Sequence, residues 1–311
     1  MSKSIKQVGS VLDEILTEPL RRIQLEQAER RKRSEAGHGE LPSQQLPRKV
    51  KTADTAATQE RLPFWPDDVR CLPNEILRCA LFNAKNRKQK REELKNAAIF
   101  IIGDGAVSYT GQELRQDDQT VWMQLIDLAK SQEAGVYVEF TPKAFCQAIS
   151  WPLSGQSYTR LRECLTRMQA TALSVYSARL GEGISLSMIP VFKWEDQSTG
   201  KKLPKWQVKI APELKKAFGD VHFTRVEWQQ RLALPDGLAT WLHGYFATHS
   251  KPFPIKLETI KQGAGITIEN NSELRRMVAD ALRKLVEVNF LADWNISGDS
   301  VSVKRKGAHS R

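Results

Sequence analysis

Two segments far apart in the chain carry the same helical spacing of apolar side chains. In each, four apolar residues follow one another at steps of four, three and four positions. This spacing puts them on one face of an α-helix, so both segments predict a long amphipathic helix with one buried stripe. The stripes consist of Leu161, Leu165, Met168 and Ala172 in the first segment and Leu274, Val278, Ala281 and Leu285 in the second.

The elements around the first stripe alternate between strands and helices. Asp117 or Asp118 can cap a helix, and Pro142 suits the first position of another helix. Apolar runs on both sides of Gly103 predict a hairpin. The predicted elements are strands Ala98–Ile102 and Val107–Thr110, a helix from Asp117, strand Val136–Phe140, a helix from Thr141, a turn at Ser150–Gly155, a helix over Ser157–Thr171, and strands Ala172–Ala178, Ile184–Trp194 and Lys205–Ile210.

The elements around the second stripe repeat this order. They are helix Leu238–Thr248, strand Phe253–Leu257, a short helix at Glu258–Gln262, helix Asn271–Val288, and strands Phe290–Trp294 and Val301–Lys304. A helix-turn-helix followed by a sheet with turns is the order of a winged helix. The chain is therefore expected to be an α+β protein with two tandem winged-helix domains that arose by internal duplication.

The N-terminal region has a different composition. Residues 1–60 are rich in Lys, Arg, Glu, Gln and Ser, with few large apolar side chains after Leu25. Apolar positions from Ile5 to Leu16 predict one short helix there, and the rest is expected to be flexible. The expected domains are a flexible region at 1–58, a short peptide at 59–66, a first domain at 67–215, a second domain at 216–306 and a tail at 307–311.

The net charge of +11 is distributed unevenly. Residues 78–95 carry a balance of +5 and residues 201–311 a balance of +8, whereas residues 96–200 carry −3. This distribution favours a nucleic acid as the partner, bound mainly by the C-terminal domain. A membrane is disfavoured because no long basic helix has a strong apolar face and no apolar run could span a bilayer. We therefore expect a soluble, cytoplasmic protein.

The second long helix carries the strongest candidates for reading DNA. Its face opposite the buried stripe combines guanidinium groups, which suit guanine edges, with amides that suit adenine. The alternative is an ordinary solvated helix face. The candidate DNA-binding residues are Asn270, Asn271, Ser272, Arg275, Arg276, Arg283 and Lys284, with Ala279 on the same face.

The first long helix and two basic segments offer further contacts. Glu163 is placed to pair with Arg160 or Arg167 and so hold a guanidinium fork. Because the first domain is acidic, its grip on DNA is expected to be weaker, and the helix could instead contact protein. The candidates on this helix are Tyr158, Arg160, Arg162 and Arg167, those on the last strand are Lys304, Arg305 and Lys306, and a loop-like run contains Lys85, Arg87, Lys88, Lys90 and Arg91. For both basic segments, a merely solvated surface is the alternative.

Several long runs, in order, carry a resemblance to a known family. They are WPDDVRCLPNEILRCALFNAKNRK, YTGQELRQDDQTVW, SYTRLRECLTRMQATAL with SARLG, YFATHSKPFPIKLETI and VSVKRK. From about residue 61 to 306, the chain resembles the TrfA family of plasmid replication initiators. The resemblance implies binding to direct repeats (iterons) at a plasmid origin, opening of an AT-rich segment with the host initiator, and recruitment of the host helicase and sliding clamp. It also implies a monomer that binds DNA, a dimer that acts in plasmid copy control, and single-stranded origin DNA as a further candidate ligand.

The resemblance extends to a short peptide before the first domain. The family has a clamp-binding motif there, built from a glutamine, a leucine and a phenylalanine. In this chain the motif corresponds to Gln59, Leu62 and Phe64, which would bind the clamp from an extended linker. Pro63 separates the leucine from the phenylalanine, whereas the shorter form of the motif has them adjacent. Plain packing of this segment onto the first domain is the alternative.

Motifs of an enzyme or a metal site are missing from the sequence. There is no phosphate-binding GxxxxGK[ST] loop, no HExxH and no GxSxG. Asp117 and Asp118 with Glu113 could suggest a metal-dependent nuclease, but helix capping explains them more simply. The four cysteines form no CxxC pair and are expected to be reduced and partly buried. We expect a DNA-binding protein without a cofactor or a catalytic site, and the competing function is that of a winged-helix transcriptional repressor.

Overall fold

The computed structural model describes residues 65–103, 106–130, 137–176, 183–196, 199–211 and 223–306. The predicted N-terminal helix, the flexible region at 1–58, the candidate clamp peptide from Gln59 to Phe64 and the tail at 307–311 lie outside these residues. Among the described residues the chain is a mixed α and β protein in which the strands pair antiparallel except for the short parallel pair Phe82–Asn83 and Leu114–Arg115.

The first half contains ten strands and four helices in the described ranges. Its strands are β1 (Val69–Pro73), β2 (Phe82–Asn83), β3 (Glu93–Ile99), β4 (Ala106–Gln112), β5 (Leu114–Arg115), β6 (Tyr137–Phe140), β7 (Ala172–Tyr176), β8 (Gly183–Leu186), β9 (Val191–Glu195) and β10 (Lys202–Lys209). Its helices are α1 (Asn74–Leu77), α2 (Gln116–Ala129), α3 (Pro142–Ala148) and α4 (Gly155–Gln169).

The second half is built from fewer elements. Strand β11 (Phe223–Glu227) leads into α5 (Trp228–Ala233), α6 (Leu238–Ala247), β12 (Ile255–Lys256), α7 (Leu257–Gly263) and α8 (Asn271–Glu287). Strands β13 (Leu291–Ser297) and β14 (Ser300–Arg305) close it as a hairpin that turns at Gly298, which has a φ of 57°. A left-handed backbone at this turn suits glycine because glycine has no Cβ to clash.

The two halves contain three-stranded sheets of the same order. In the first, β10 lies between β6 and β9, and in the second, β14 lies between β12 and β13. The strand before the helix pair thus pairs with the last strand of its half in both cases. The predicted element order is confirmed in each half, while its interpretation as two winged-helix domains stays a prediction.

Three predicted elements of the first half have different bounds. The first strand of the expected hairpin, Ala98–Ile102, is observed as β3 at Glu93–Ile99. The single strand expected over Ile184–Trp194 is wrong: β8 belongs to the sheet β3-β4-β7-β8, and β9 belongs to the sheet with β6 and β10. Pro190, which lacks an N–H for a strand ladder, lies in the break between β8 and β9. Helix α4 begins before Ser157 because the hydroxyl of Ser154 accepts a hydrogen bond from the backbone N–H of Ser157 at 3.2 Å.

The buried stripes of the two long helices are found largely as expected. Leu161, Leu165 and Met168 are fully buried in the first core, but Ala172 is exposed because α4 ends at Gln169. All four stripe residues of α8 are buried in a second core. These cores fix which face of each long helix remains at the surface.

The N-terminal residues of the first half join it to the second. Strand β1 pairs antiparallel with β11, so that Cys71 lies opposite Arg225. The indole N–H of Trp241 donates to the carbonyl of Cys79 at 3.2 Å, and the backbone N–H of Ala84 donates to the carbonyl of Ala264 at 2.7 Å. The boundary predicted between residues 215 and 216 lies outside the described residues and stays a prediction.

Candidate nucleic-acid interface

Helix α8 presents a polar face to solvent. Its N-cap is Asn270, whose side-chain oxygen accepts hydrogen bonds from the backbone N–H groups of Ser272 at 2.8 Å and Glu273 at 3.2 Å. This cap satisfies two of the free N–H groups at the helix start. The predicted residues that are exposed on and beside this helix are Asn270, Asn271, Ser272, Arg275, Arg276, Arg283 and Lys284.

The three arginines of this face have different surroundings. Arg275 donates to the carbonyls of Ile296 at 2.7 Å and Gly298 at 2.5 Å, which fastens the β13–β14 hairpin to α8. Arg283 forms an ion pair of 2.5 Å with Asp280, and both side chains are exposed. Among the described residues Arg276 makes no hydrogen bond or ion pair. Arg276 therefore has its donors available, while Arg275 uses part of its fork to hold the hairpin.

The last strand contributes less outward charge than expected. Arg305 does not extend from the fold: it donates to the carbonyl of His249 at 2.9 Å and lies over the ring of Phe290, 4.9 Å from its centre. Lys306 is exposed and donates to the side-chain oxygen of Asn289 at 2.8 Å. Lys304 is exposed. The three basic residues look equivalent in the sequence, but Arg305 instead joins the strand to the end of α6.

Helix α4 is anchored to α2 by buried ion pairs. Arg160 lies 3.2 Å from Asp117, and Arg167 lies 2.8 Å from Asp118, a carboxylate that is fully buried. The expected pairing of these arginines with Glu163 is wrong: Glu163 is exposed, carboxylates of α2 pair with both arginines, and Arg160 also pairs with Asp236 of the second half at 2.9 Å. Periodicity within one helix could not indicate partners that lie more than 40 positions away.

The aspartates at the start of α2 also differ from their expected role. Helix α2 begins at Gln116 with Arg115 as N-cap, and Asp118 accepts the backbone N–H of Arg115 at 2.9 Å. Burial alone would raise the pKa of Asp117, but the charges of Arg91 and Arg160 outweigh burial and lower it. Besides the capping contact of Asp118, these two carboxylates therefore neutralise three arginines, which are Arg91, Arg160 and Arg167.

The other residues of α4 differ in exposure. Arg162 is exposed, whereas Tyr158 is half-buried and packs against the first core. The guanidinium of Arg160 lies over the ring of Trp151 at 3.9 Å, within the range of a cation–π contact. The anchored arginines thus have restricted positions, while Arg162 is the unrestrained cation of this helix.

A basic loop, residues 85–91, runs beside α4 and is held by one buried arginine. Arg115 is 1% exposed and donates to the carbonyls of Asn86, Gln89 and Lys90 at 2.5–3.0 Å. Lys85 is paired with Glu113 at 2.6 Å. The buried guanidinium of Arg115 therefore fixes the backbone of the basic loop. The loop keeps three exposed cations, which are Arg87, Lys88 and Lys90.

The basic loop and α4 enclose an open cleft of about 610 Å³. Five basic side chains line it, and its acidic lining residues are Asp117 and Glu163. The sequence indicates the loop and the helix separately and gives no sign that they share one surface. The basic lining residues are Arg87, Lys88, Arg91, Arg160 and Arg167.

Three further findings for the described ranges concern membrane-spanning helices, metal ligands and cysteine thiols. Every helix in these ranges is too short or too polar to span a bilayer. No group of three or more His, Cys, Asp or Glu side chains in the same ranges could hold a metal ion. All four cysteines are buried and free, as expected.

Comparison with known families shows to which family the chain belongs. The family described as TrfA protein matches residues 36–305. The chain belongs to the TrfA family. The match begins before residue 61, where the sequence resemblance was expected to start, so part of the N-terminal region also belongs to the family.

One relative and several solved structures are similar to this TrfA-family chain. The plasmid replication initiator protein TrfA of Escherichia coli is 36% identical over 243 residues. The aligned part covers 78% of the chain and 63% of that relative, so the chain spans less than two thirds of the relative's length.

The solved structures are more distant. Domains 2 and 3 of RctB match with a TM-score of 0.47 and 14% identity, over 71% of the TrfA-family chain and 94% of that structure. The Pi initiator protein in complex with iteron DNA matches with a TM-score of 0.44 and 10% identity, over 66% of the chain and 100% of that structure.

Proposed function

We propose that this protein initiates plasmid replication by binding origin repeats sequence-specifically, without catalysing a reaction. The observation that carries this proposal is the 36% identity, over most of the chain, to a plasmid replication initiator of the same family. The uneven charge and the two long helices with polar outer faces support DNA as the ligand.

Helix α8 is proposed as the main recognition helix. Its exposed face combines Arg276 and Arg283 with a polar N-terminus, and a helix of this kind fits the major groove with its first residues near the base edges. The hairpin that Arg275 fastens to it would lie along the phosphates as a wing. We propose the same arrangement for α4 with the β9–β10 hairpin, which makes two tandem winged-helix units.

The cleft between α4 and the basic loop is proposed as a phosphate-binding surface. Three of its arginines are neutralised by buried aspartates, so their role is to shape the surface rather than to attract DNA from a distance. Arg87, Lys88 and Lys90 retain their charge at the surface. Contacts of this kind position a protein on DNA without reading its sequence.

After binding, the protein is proposed to open the AT-rich segment with the host initiator and to recruit the host helicase and sliding clamp. The last step would use Gln59, Leu62 and Phe64. These steps follow from the family to which the chain belongs.

The proposal is tested by transforming the host with a plasmid that carries only the candidate origin, with the gene supplied in trans. Transformants are expected with the wild-type gene and are expected to be lost with Arg276→Ala combined with Arg283→Ala. Arg225→Ala, which removes an exposed arginine from β11, is the matched control and should still support replication. Replication without the gene would refute an initiator role. Repression of a promoter together with no effect on the origin would favour the repressor.

A further inference from the structure

One arginine is buried where the two halves meet. Arg231 in α5 is 1% exposed and donates to Gln119 at 3.0 Å, to the side chain of Gln116 at 3.2 Å and to the hydroxyl of Thr120 at 3.2 Å. Its other terminal nitrogen donates to the carbonyl of Thr240 at 3.4 Å. One guanidinium thus joins α2 of the first half to α6 of the second.

This arginine lacks the partner that a buried cation ordinarily has. No carboxylate lies within ion-pair distance of it among the described residues, and its Nε atom has no hydrogen-bond partner there. Burial lowers the pKa of Arg231 to about 10, although Asp236 opposes the shift, so it stays charged at neutral pH. Burying a charge among neutral groups is unfavourable, and apolar side chains of similar volume often stabilise such sites better. Stability alone therefore gives a poor reason for an arginine here.

The position of Arg231 connects the two proposed recognition helices. On one side of α2, Asp117 and Asp118 hold α4 through Arg160 and Arg167. On the other side, Arg231 holds α6, which packs against α8 in the second core. The bonds are directional, because a guanidinium has a planar fork of donors. An apolar contact could slide, whereas this joint adds directional bonds between α2 and α6 to the other links between the halves, which include the β1–β11 pairing and the ion pair of Arg160 with Asp236 at 2.9 Å.

We propose that Arg231 is a positioning residue that sets the distance and rotation between α4 and α8, and thereby the spacing of the two DNA half-sites that the protein accepts. This inference rests on the proposed function. Each inserted base pair moves the second half-site by about 3.4 Å and rotates it by about 35° around the DNA axis. A rigid joint therefore selects one spacing, and a loosened joint tolerates several.

The experiment selects bound duplexes from a library with a random segment of about 40 base pairs, roughly four helical turns. The full-length wild-type chain is expected to enrich two sequence blocks at one fixed spacing. Arg231→Met should enrich the same two blocks at several spacings. Arg231→Lys, which keeps the charge but loses the fork, should lie between them. Arg225→Met removes an exposed arginine from β11 and should keep the wild-type spacing.

Binding to synthetic duplexes then gives the magnitude. Inserting one base pair between the blocks should weaken wild-type binding at least tenfold and Arg231→Met binding no more than about threefold. An equal penalty in both proteins overturns the inference and leaves the proposed function standing. A wild-type chain that enriches one block also overturns the inference, and one that enriches no sequence refutes the proposed function itself.

Urea unfolding of the variants distinguishes a role of Arg231 in positioning the helices from a role in stabilising the fold. Should Arg231→Met fail to fold, Arg231→Lys and Gln119→Met, which removes one acceptor, decide the question by the same spacing measurement. Variants that are less stable but keep the wild-type spacing penalty would assign Arg231 a purely structural role and overturn the inference. Failure of all three variants to fold would also overturn the inference.

Discussion

Arg167 donates two hydrogen bonds, of 3.1 Å and 2.8 Å, to one oxygen of Asp118, a side chain without solvent exposure. The other oxygen of Asp118 accepts from Arg91 at 2.7 Å. One buried carboxylate thereby holds both α4 and the end of the basic loop. The proposed DNA surface of the first half depends on a residue that cannot itself touch DNA.

Asp118→Asn is therefore expected to destabilise the protein more than its small change in shape suggests. It leaves Arg167 without its buried partner and Arg91 paired with Asp117 alone, and breaking a buried pair in this way costs about 3–5 kcal/mol. Urea unfolding measures the loss. Asp280→Asn, which breaks the exposed pair with Arg283, is the matched control and should change the free energy of unfolding by less than about 1 kcal/mol. Similar losses in both variants would contradict the anchoring role.

Arg276→Ala is expected to weaken binding at a specific site by about 1–3 kcal/mol, the usual contribution of one good base contact. Arg283→Ala should have a similar effect, reduced to the extent that Asp280 already holds its guanidinium. Titrations against a specific duplex and a random duplex measure both variants. Equal losses on the two duplexes would show that these arginines contact phosphates and read no bases.

The basic loop gives a prediction about salt. If the protein neutralises about 6 to 8 phosphates, the logarithm of the binding constant should fall with that of salt concentration at a slope of about −5 to −7. Replacing Arg87, Lys88 and Lys90 by Ala should make the slope shallower by up to about 0.9 for each phosphate that is no longer neutralised. Replacing Lys304 alone should reduce the number of neutralised phosphates by at most one. A slope unchanged by the triple replacement would mean that the loop does not touch DNA.

Local signals predicted much of the second half from the sequence. The stripe of α8, its start at Asn271 and the hairpin around Gly298 depend on residues close together in the chain. The ion pairs of Asp117 and Asp118 could not be predicted, because an acidic pair before an apolar run is typical of a helix start and its true partners lie 26 to 49 positions away. Arg231 gave no signal either, since an arginine in a short polar segment usually faces solvent.

The pH dependence of stability should include a contribution from His243. Burial, with the charges of Arg231 and Arg305, lowers the pKa of His243 to about 3, against an ordinary value of 6.5. A lowered pKa means that the folded state favours the neutral ring, so this contribution is complete above about pH 6.5 and is lost as the pH falls toward 3. The slope for one proton is at most about 1.4 kcal/mol per pH unit.

Urea unfolding of the wild type and His243→Phe between pH 7.5 and 4 tests this contribution. The ring of His243 lies 4.4 Å from that of Phe290, so an aromatic replacement keeps this contact. The difference in stability between the two proteins should shift in favour of the variant as the pH falls below about 6.5. A difference that stays constant over this range would show that His243 does not titrate on unfolding.

The last prediction separates an initiator from a repressor. Changing Leu62 and Phe64 to Ala should abolish binding to the host sliding clamp, because a short extended peptide places most of its binding energy in a few apolar side chains. The fold is anchored immediately afterwards: Trp65 is fully buried, and its indole N–H donates to Asp127 at 3.0 Å. Binding to duplex DNA should therefore persist, and plasmid replication should fail although the origin is occupied.

The competing interpretation is that Leu62 and Phe64 pack onto the first half beside Trp65. In that case the double variant would be less stable and would lose duplex binding together with clamp binding. A melting curve measured alongside the two titrations distinguishes the interpretations. Trp65→Ala is the matched control for a loss of packing, and burial of the whole indole predicts a loss of about 3–5 kcal/mol. A Leu62 and Phe64 variant that resembled Trp65→Ala in stability would contradict the clamp-binding role, because the segment would then belong to the fold.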